Sequence, residues 1–226
     1  MRLESCIVEP IRNKTKQLAK EFIDKGDPFG WFERLYDDAN GDEKAVPWAD
    51  MTVNLNLAEW LEREQMRGEG TRAIVVGCGL GDDAEALAQL GFEVTAFDIS
   101  PTAIAWCQTR FPDSTVNYRV ADLFETPMTW QGGFDFVLES YTLQAMPKEV
   151  RDRAVPKVAA LVKTNGSLLI ICRGRSANEL AETVPFPLTR EELNAFQANG
   201  LDEVEFEDYF ETGTSARRFR VTYRRS

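Results

Sequence analysis

The chain has 226 residues, 43% of them hydrophobic and 28% charged, a length that suits one sizeable α/β domain with an appendage. A formal net charge of −11 argues against nucleic acid or an anionic membrane surface as the main partner. Four scattered cysteines (Cys6, Cys78, Cys107, Cys172) and the absence of histidine leave no zinc-ligand spacing, no histidine general base and no Ser-His-Asp or Cys-His triad.

In chain order, the opening MRLESCIVEPIRNK carries acids and lacks an uninterrupted apolar core, so it does not read as a signal peptide and a cytoplasmic location is expected. No run approaches the roughly 18 apolar residues of a membrane span. Residues 12–25 carry a helical pattern with Leu18, Phe22 and Ile23 on one face. Residues 26–54 mix aromatic residues with turn formers, and a helical pattern resumes over 55–66 through Leu57, Trp60 and Leu61. Residues 1–66 are therefore expected to form a helical N-terminal cap, and 67–226 the main domain.

From residue 71 strands and helices alternate. Strand-like runs cover Arg72–Val76, Glu93–Asp98, Val116–Val120, Phe134–Leu138 and Ser167–Cys172. Helix patterns lie near 82–90, 101–111 and 147–162, the second opened by Ser100 as cap and Pro101 at the first helical position. Such alternation predicts a mainly parallel sheet with helices on both faces. A last helix is expected from Thr189 to a stop at Gly200. The ending LDEVEFEDYFETGTSARRFRVTYRRS reads as an antiparallel hairpin, with Arg217, Arg218, Arg220, Arg224 and Arg225 set against Glu205, Glu207 and Asp208 as a solvated face.

The chemistry concentrates in AIVVGCGLGDDAEALAQLGFEVTAFDIS, residues 73–100. Gly77, Gly79 and Gly81 turn the first strand into a helix and let a ligand approach the backbone. The dinucleotide fingerprint G-x-G-x-x-G would place glycine at position 82, where this chain has Asp82 followed by Asp83. Two carboxylates at that helix start repel a pyrophosphate and suit a ligand bearing an ammonium group. Asp98 ends the second strand, 21 residues past Gly77, where a carboxylate can accept both ribose hydroxyls. Asp122, at the edge of the third strand in VADLFE, is placed to accept from an adenine amine with Ile99 and Leu123 sandwiching the ring, or to cap a turn. Cys78 sits inside the glycine turn with nothing nearby to make it a thiolate.

Together, VVGCGLGDDAEALAQLGFEVTAFDIS, VADLFE and FDFVLESYTLQ resemble the first four motifs of class I S-adenosylmethionine-dependent methyltransferases. The resemblance covers about residues 71–226. It implies a Rossmann-like, mostly parallel seven-stranded sheet with the C-terminal antiparallel hairpin. It also implies S-adenosylmethionine over the strand edges, with S-adenosylhomocysteine as product. Gly77, Cys78 and Gly79 would meet its amino-acid part, Asp98 its ribose, and Asp122 its adenine, with Ile99 and Leu123 on either side of the ring. The segment GWFERLYDD…VPWADMTVNLNLAEWL is similar to the leader of the thiopurine, thiol and halide methyltransferase group, whose tryptophan-rich segment closes over the cofactor; Trp31, Pro47 and Trp48 fall in matching order. The departure is TVNLNL, where those leaders often carry prolines.

The expected activity is methyl transfer to a small molecule, with a thiol, thiopurine, halide or metalloid acceptor and no nucleic-acid, membrane or metal partner. A soft nucleophile needs little or no general base, which suits a chain without histidine. Glu139 and Tyr141, in ESYTLQ, are the candidate catalytic residues, with Glu139 either orienting donor or acceptor or capping the next helix. The alternatives are O- or N-methylation of a small metabolite, a non-catalytic module that only binds the cofactor, and a nicotinamide oxidoreductase.

Overall fold

In the computed structural model, residues 3–211 and 214–226 are described, with side chains from residue 9 onward; the side chain of Cys6 lies outside them. Seven strands form one sheet in the order β3-β2-β1-β4-β5-β7-β6. They are β1 (Arg72–Val76), β2 (Glu93–Asp98), β3 (Asn117–Val120), β4 (Phe134–Ser140), β5 (Val162–Arg173), β6 (Asp202–Phe210) and β7 (Arg217–Arg224). The first five pair in parallel, whereas β7 runs antiparallel to both β5 and β6.

Side chains alternate across each strand, and both faces are covered, which is why the central strands are continuous apolar runs. Ile74 and Val76 face one cluster with Val137, Leu168 and Ile170, closed by Val155, Val158 and Ala159 of α6 (Lys148–Leu161). Ala73 and Val75 face the other with Ala96, Leu138 and Ile171. That second face is closed by α4 (Asp82–Gln89) through Leu87, by α5 (Pro101–Arg110) through Ile104, and by α3 (Leu55–Arg63) through Leu57, Trp60 and Leu61. Trp60 stacks on Phe136 of β4 with ring centroids 5.7 Å apart. Residues 55–63 thus share the main core, so the expected cap over 1–66 is not packed as one body apart from the sheet.

Several expectations are met in detail. Ser100 caps α5 by accepting from the Ala103 amide, with Pro101 in the first turn. Thr189 and Glu192 form a reciprocal capping box at α7 (Arg190–Asn194), and Gly200 closes the following turn at φ +79°. Other boundaries move. Helix α1 runs Leu3–Asp24 straight through Pro10, where the loss of one amide donor does not stop it. Strand β5 begins five residues early because Asn165 (φ +64°) and Gly166 make an irregular stretch that still pairs through Asn165 N to Arg225 O at 2.8 Å. The helix expected from Thr189 divides into α7 and a separate short turn at 197–199.

The hairpin arginines do not form the expected solvated face. Arg217 pairs with Asp208 at 2.6 Å and Arg220 with Glu207 at 2.5 Å, but Arg220 is buried, and Arg63 of α3 joins Glu205 and Glu207. Arg225 donates to the carbonyls of Val162 and Ala159, and Arg218 turns inward to Glu211. The acids were shared by more cations than cross-strand spacing alone suggested.

If α3 belongs to the core, Trp60→Ala should cost about 3–5 kcal/mol of unfolding free energy, as measured by urea denaturation. A loss below about 1 kcal/mol would place α3 outside the cooperative unit.

Candidate active site

The strand order reverses between β1 and β4, and ligands in open α/β sheets collect at the C-terminal strand ends beside such a switch point. A cleft of about 500 Å³ lies there. The ends of β1, β2 and β4 supply its floor, and residues from α1, α2 (Gly30–Ala39) and the loop to α3 supply its roof.

The floor is the glycine turn. Gly77 has φ +62°, and a side chain at that position would collide with Thr142, whose Oγ1 donates to the Val76 carbonyl at 2.9 Å. Gly79 (φ +54°) lies directly beneath Tyr36 Oη and Trp48 Nε1. Those two roof groups are bonded to each other, Trp48 donating to Tyr36 at 2.8 Å. Trp31 is wholly buried, donates its Nε1 to the Pro28 carbonyl and stacks on Phe32, while Trp48 is 38% exposed at the cleft. Both tryptophans line the cleft, as do Cys78, Ile99 and Leu123.

Asp98 sits at the end of β2 with little solvent contact. It accepts from the amides of Gly79 and Ser100, each at 3.0 Å, one bond to each oxygen. Each carboxylate oxygen takes about two hydrogen bonds, so acceptor capacity remains even with the Ile99 amide also close by. Burial pushes its pKa up to about 6 against the opposing pull of those amides. Asp122 caps the short turn at 123–125 by accepting from the Phe124 amide at 2.8 Å, and it also lines the cleft. Both readings offered by its sequence position are therefore compatible with its place.

The two acids at the start of α4 separate. Asp82 is locked to Arg110 through two 2.8 Å bonds, so the expectation that it meets a ligand ammonium is corrected: its charge is already answered inside the chain. Asp83 accepts the Asn54 amide at 2.8 Å, and burial raises its pKa to about 6 against the pull of that amide and of the Ser140 hydroxyl.

Glu139 also needs correction. It is fully buried beneath the cleft floor and does not line the cleft; its Oε1 accepts from the amides of Thr142 and Leu143, so it holds the turn after β4. Burial lifts its pKa to about 7. Tyr141 does line the cleft, in the left-handed region at φ +62°. Its Oη accepts from Asn56 Nδ2 at 3.1 Å, and burial raises its pKa, which keeps the phenol protonated. Cys78 is held as a thiol by the neighbouring Cys107 thiol and by burial, both of which raise its pKa.

Several site residues escaped the sequence reading. Glu33 of α2 accepts from Ser100 Oγ at 2.5 Å and from Thr102 Oγ1 at 2.7 Å, fastening the roof to the start of α5 across 67 positions. Asn56 links Tyr141 to Tyr209 of β6. Arg173 and Arg218, at the far end of the cleft, looked like ordinary strand and hairpin cations. Tyr36 carried a faint signal as an aromatic near Trp31, but nothing paired it with Trp48.

Comparison with known proteins agrees with this geometry. In Burkholderia thailandensis, the 1,6-didemethyltoxoflavin-N1-methyltransferase, solved with 1,6-didemethyltoxoflavin and S-adenosylhomocysteine, superposes with a TM-score of 0.68 at 18% identity, covering 86% of this chain and 85% of that one. The [4+2]-cyclase SpnF has the same fold at TM-score 0.61 and 16% identity, over 75% and 79% of the two chains, so the fold alone does not fix a reaction. A curated Xanthomonas campestris ubiquinone biosynthesis O-methyltransferase is 31% identical over 117 residues, 51% of this chain, which spans about half (48%) of that relative's length. Residues 38–224 match the model of the thiopurine S-methyltransferase family. The chain therefore belongs to the thiopurine S-methyltransferase family of S-adenosylmethionine-dependent methyltransferases.

Proposed function

We propose that this chain transfers the methyl group of S-adenosylmethionine to a soft nucleophile on a small molecule, such as a thiol, thiopurine, halide or metalloid. The observation that carries the choice of acceptor is that the bases lining the cleft are carboxylates, with no histidine in the chain to act beside them. There is no histidine, Cys78 and Tyr141 keep their protons, and Glu139 lies outside the cleft, engaged with backbone amides. A soft nucleophile attacks without a general base, and alignment then carries most of the catalysis.

The residues fit the cofactor. The glycine turn brings its backbone to the cleft, and Asp98 keeps acceptor capacity for a ribose. Asp122, with Ile99 and Leu123, forms the adenine end, and Asp83, buried at the start of α4 beside the glycine turn, is the acid for an ammonium group. Bound there, S-adenosylmethionine supplies a methyl carbon activated by its sulfonium. Tyr36, Trp31 and Trp48 exclude water from above, and Trp48, exposed at the cleft, offers its ring to a cation, worth about 0.5–2 kcal/mol. Glu139 and Tyr141 act as positioning residues, the first by shaping the turn after β4 and the second by walling the acceptor side.

A second reading, methylation of an oxygen or nitrogen, draws on the O-methyltransferase relative and on Asp83, whose pKa of about 6 would let it take a proton near neutrality. The two readings separate on an acceptor panel scored by S-adenosylhomocysteine release. Turnover with thiols and none on phenols or amines is expected. Turnover on phenols or amines and none on thiols would favour the second.

The buried acids also set a pH dependence. Asp98 and Asp83 (about 6) and Glu139 (about 7) have pKa values raised above 3.8 and 4.5, so the folded cofactor-free chain holds protons that the unfolded chain releases. Its stability should therefore climb as pH falls from about 8 to 5.5, while cofactor affinity drops below pH 6 as Asp98 loses its charge. Thermal melts and titrations across that range test both trends; a stability that falls over this interval would contradict them. Glu139→Gln should flatten the upper part of the melting profile, raise Tm at pH 8 and leave cofactor affinity intact. A variant that loses cofactor binding would restore Glu139 to the binding site.

A further inference from the structure

Strands β5 and β7 place Arg173 directly opposite Arg218. Like charges facing each other across an antiparallel pair are destabilising. Both residues line the same end of the cleft, beside Tyr141.

The other paired arginines of the hairpin have carboxylates on most of their donors, but these two do not. Arg218 is 8% exposed and gives only Nη2 to Glu211, at 2.6 Å; its Nε and Nη1 are buried without a partner. Its guanidinium lies 5.3 Å from the centre of the Tyr141 ring, which is held at φ +62°. Arg173 bonds through its amide to Gln144 Oε1 and through its carbonyl to the Leu188 amide. Among the described residues its guanidinium has no hydrogen bond and no ion pair. Burial, and the positive charges of Arg218 and Arg12, lower its pKa.

We infer that Arg173 and Arg218 form an anion subsite that binds a carboxylate carried by the methyl acceptor. The inference rests on the methyltransferase reading of the cleft and adds the charge of the substrate to it. Guanidinium forks match the planar two-oxygen face of a carboxylate, and an anion between them would turn the cross-strand repulsion into attraction. Glu211 answers one of the two arginines and Arg12 adds a further positive charge nearby, so the subsite keeps a net positive charge for an anion. The Tyr141 ring, which lines the cleft beside Arg218, suits an aryl or alkyl body attached to that carboxylate. Stability given up in the free protein for a binding contact is a common feature of functional sites.

The test uses the full chain saturated with S-adenosylhomocysteine and titrated calorimetrically with benzoate and with benzamide. Benzoate is expected to bind at least about ten-fold more tightly than its neutral counterpart. Arg173→Met should lower benzoate affinity by about ten-fold, with part of it restored in Arg173→Lys. The same Arg173→Met change should raise the Tm of the ligand-free protein, because it removes the repulsion; a purely structural arginine would lower it. Equal affinity for the two probes, benzoate binding unaltered by Arg173→Met, or a lowered Tm in that variant would overturn the assignment. Failure of S-adenosylhomocysteine itself to bind would remove the methyltransferase reading beneath it, a different and separable result.

Discussion

The structure around the cleft depends on one buried charge. Asp98 ends β2 nearly out of reach of water, and a carboxylate there is tolerable only because backbone amides of Gly79 and Ser100 point at it. Those two bonds tie the glycine turn to the start of α5. Ser100 passes the connection on, since its Oγ both caps α5 and donates to Glu33 of α2. The roof that carries Trp31, Tyr36 and Trp48 is thereby fixed to the same point as the floor. Sheet, glycine turn, helix start and N-terminal segment are set in register by a group that still keeps acceptor positions for a ligand.

This arrangement favours alignment over proton chemistry. Glu139 is withheld from the cleft and Cys78 and Tyr141 are kept protonated by burial, which leaves carboxylates such as Asp83 as the bases that line it. What the cleft does present is shape, aromatic surface and fixed charge. Its lining mixes acids and cations, with Arg173 and Arg218 set together on the β5–β7 pair, where an anionic acceptor would meet a cationic donor in one cavity.

Much of this was legible in the sequence because it is written in local patterns. The strand–glycine–helix run, the acid ending the second strand, the cap of Ser100 before Pro101 and the closing hairpin all involve residues within a few positions of each other. The role of Glu139 could not be read in this way: the same acid at a strand end serves a ligand or a backbone turn, and only the path of residues 140–143 decides. Asp82 was misjudged because its partner, Arg110, lies a helix and a strand away. Glu33, Asn56 and the Arg173–Arg218 pair are long-range contacts whose residue types are ordinary on any surface. Register, which sequence alone leaves open across a crossover, is what makes them a site.

The most direct measurement is calorimetric titration of the purified chain with S-adenosylhomocysteine and, in parallel, with NAD, repeated on Asp98→Ala. Binding of S-adenosylhomocysteine but not NAD, weakened about ten-fold or more by Asp98→Ala, is the predicted result. Absence of S-adenosylhomocysteine binding, or binding indifferent to the loss of Asp98, would contradict the central place given to that carboxylate.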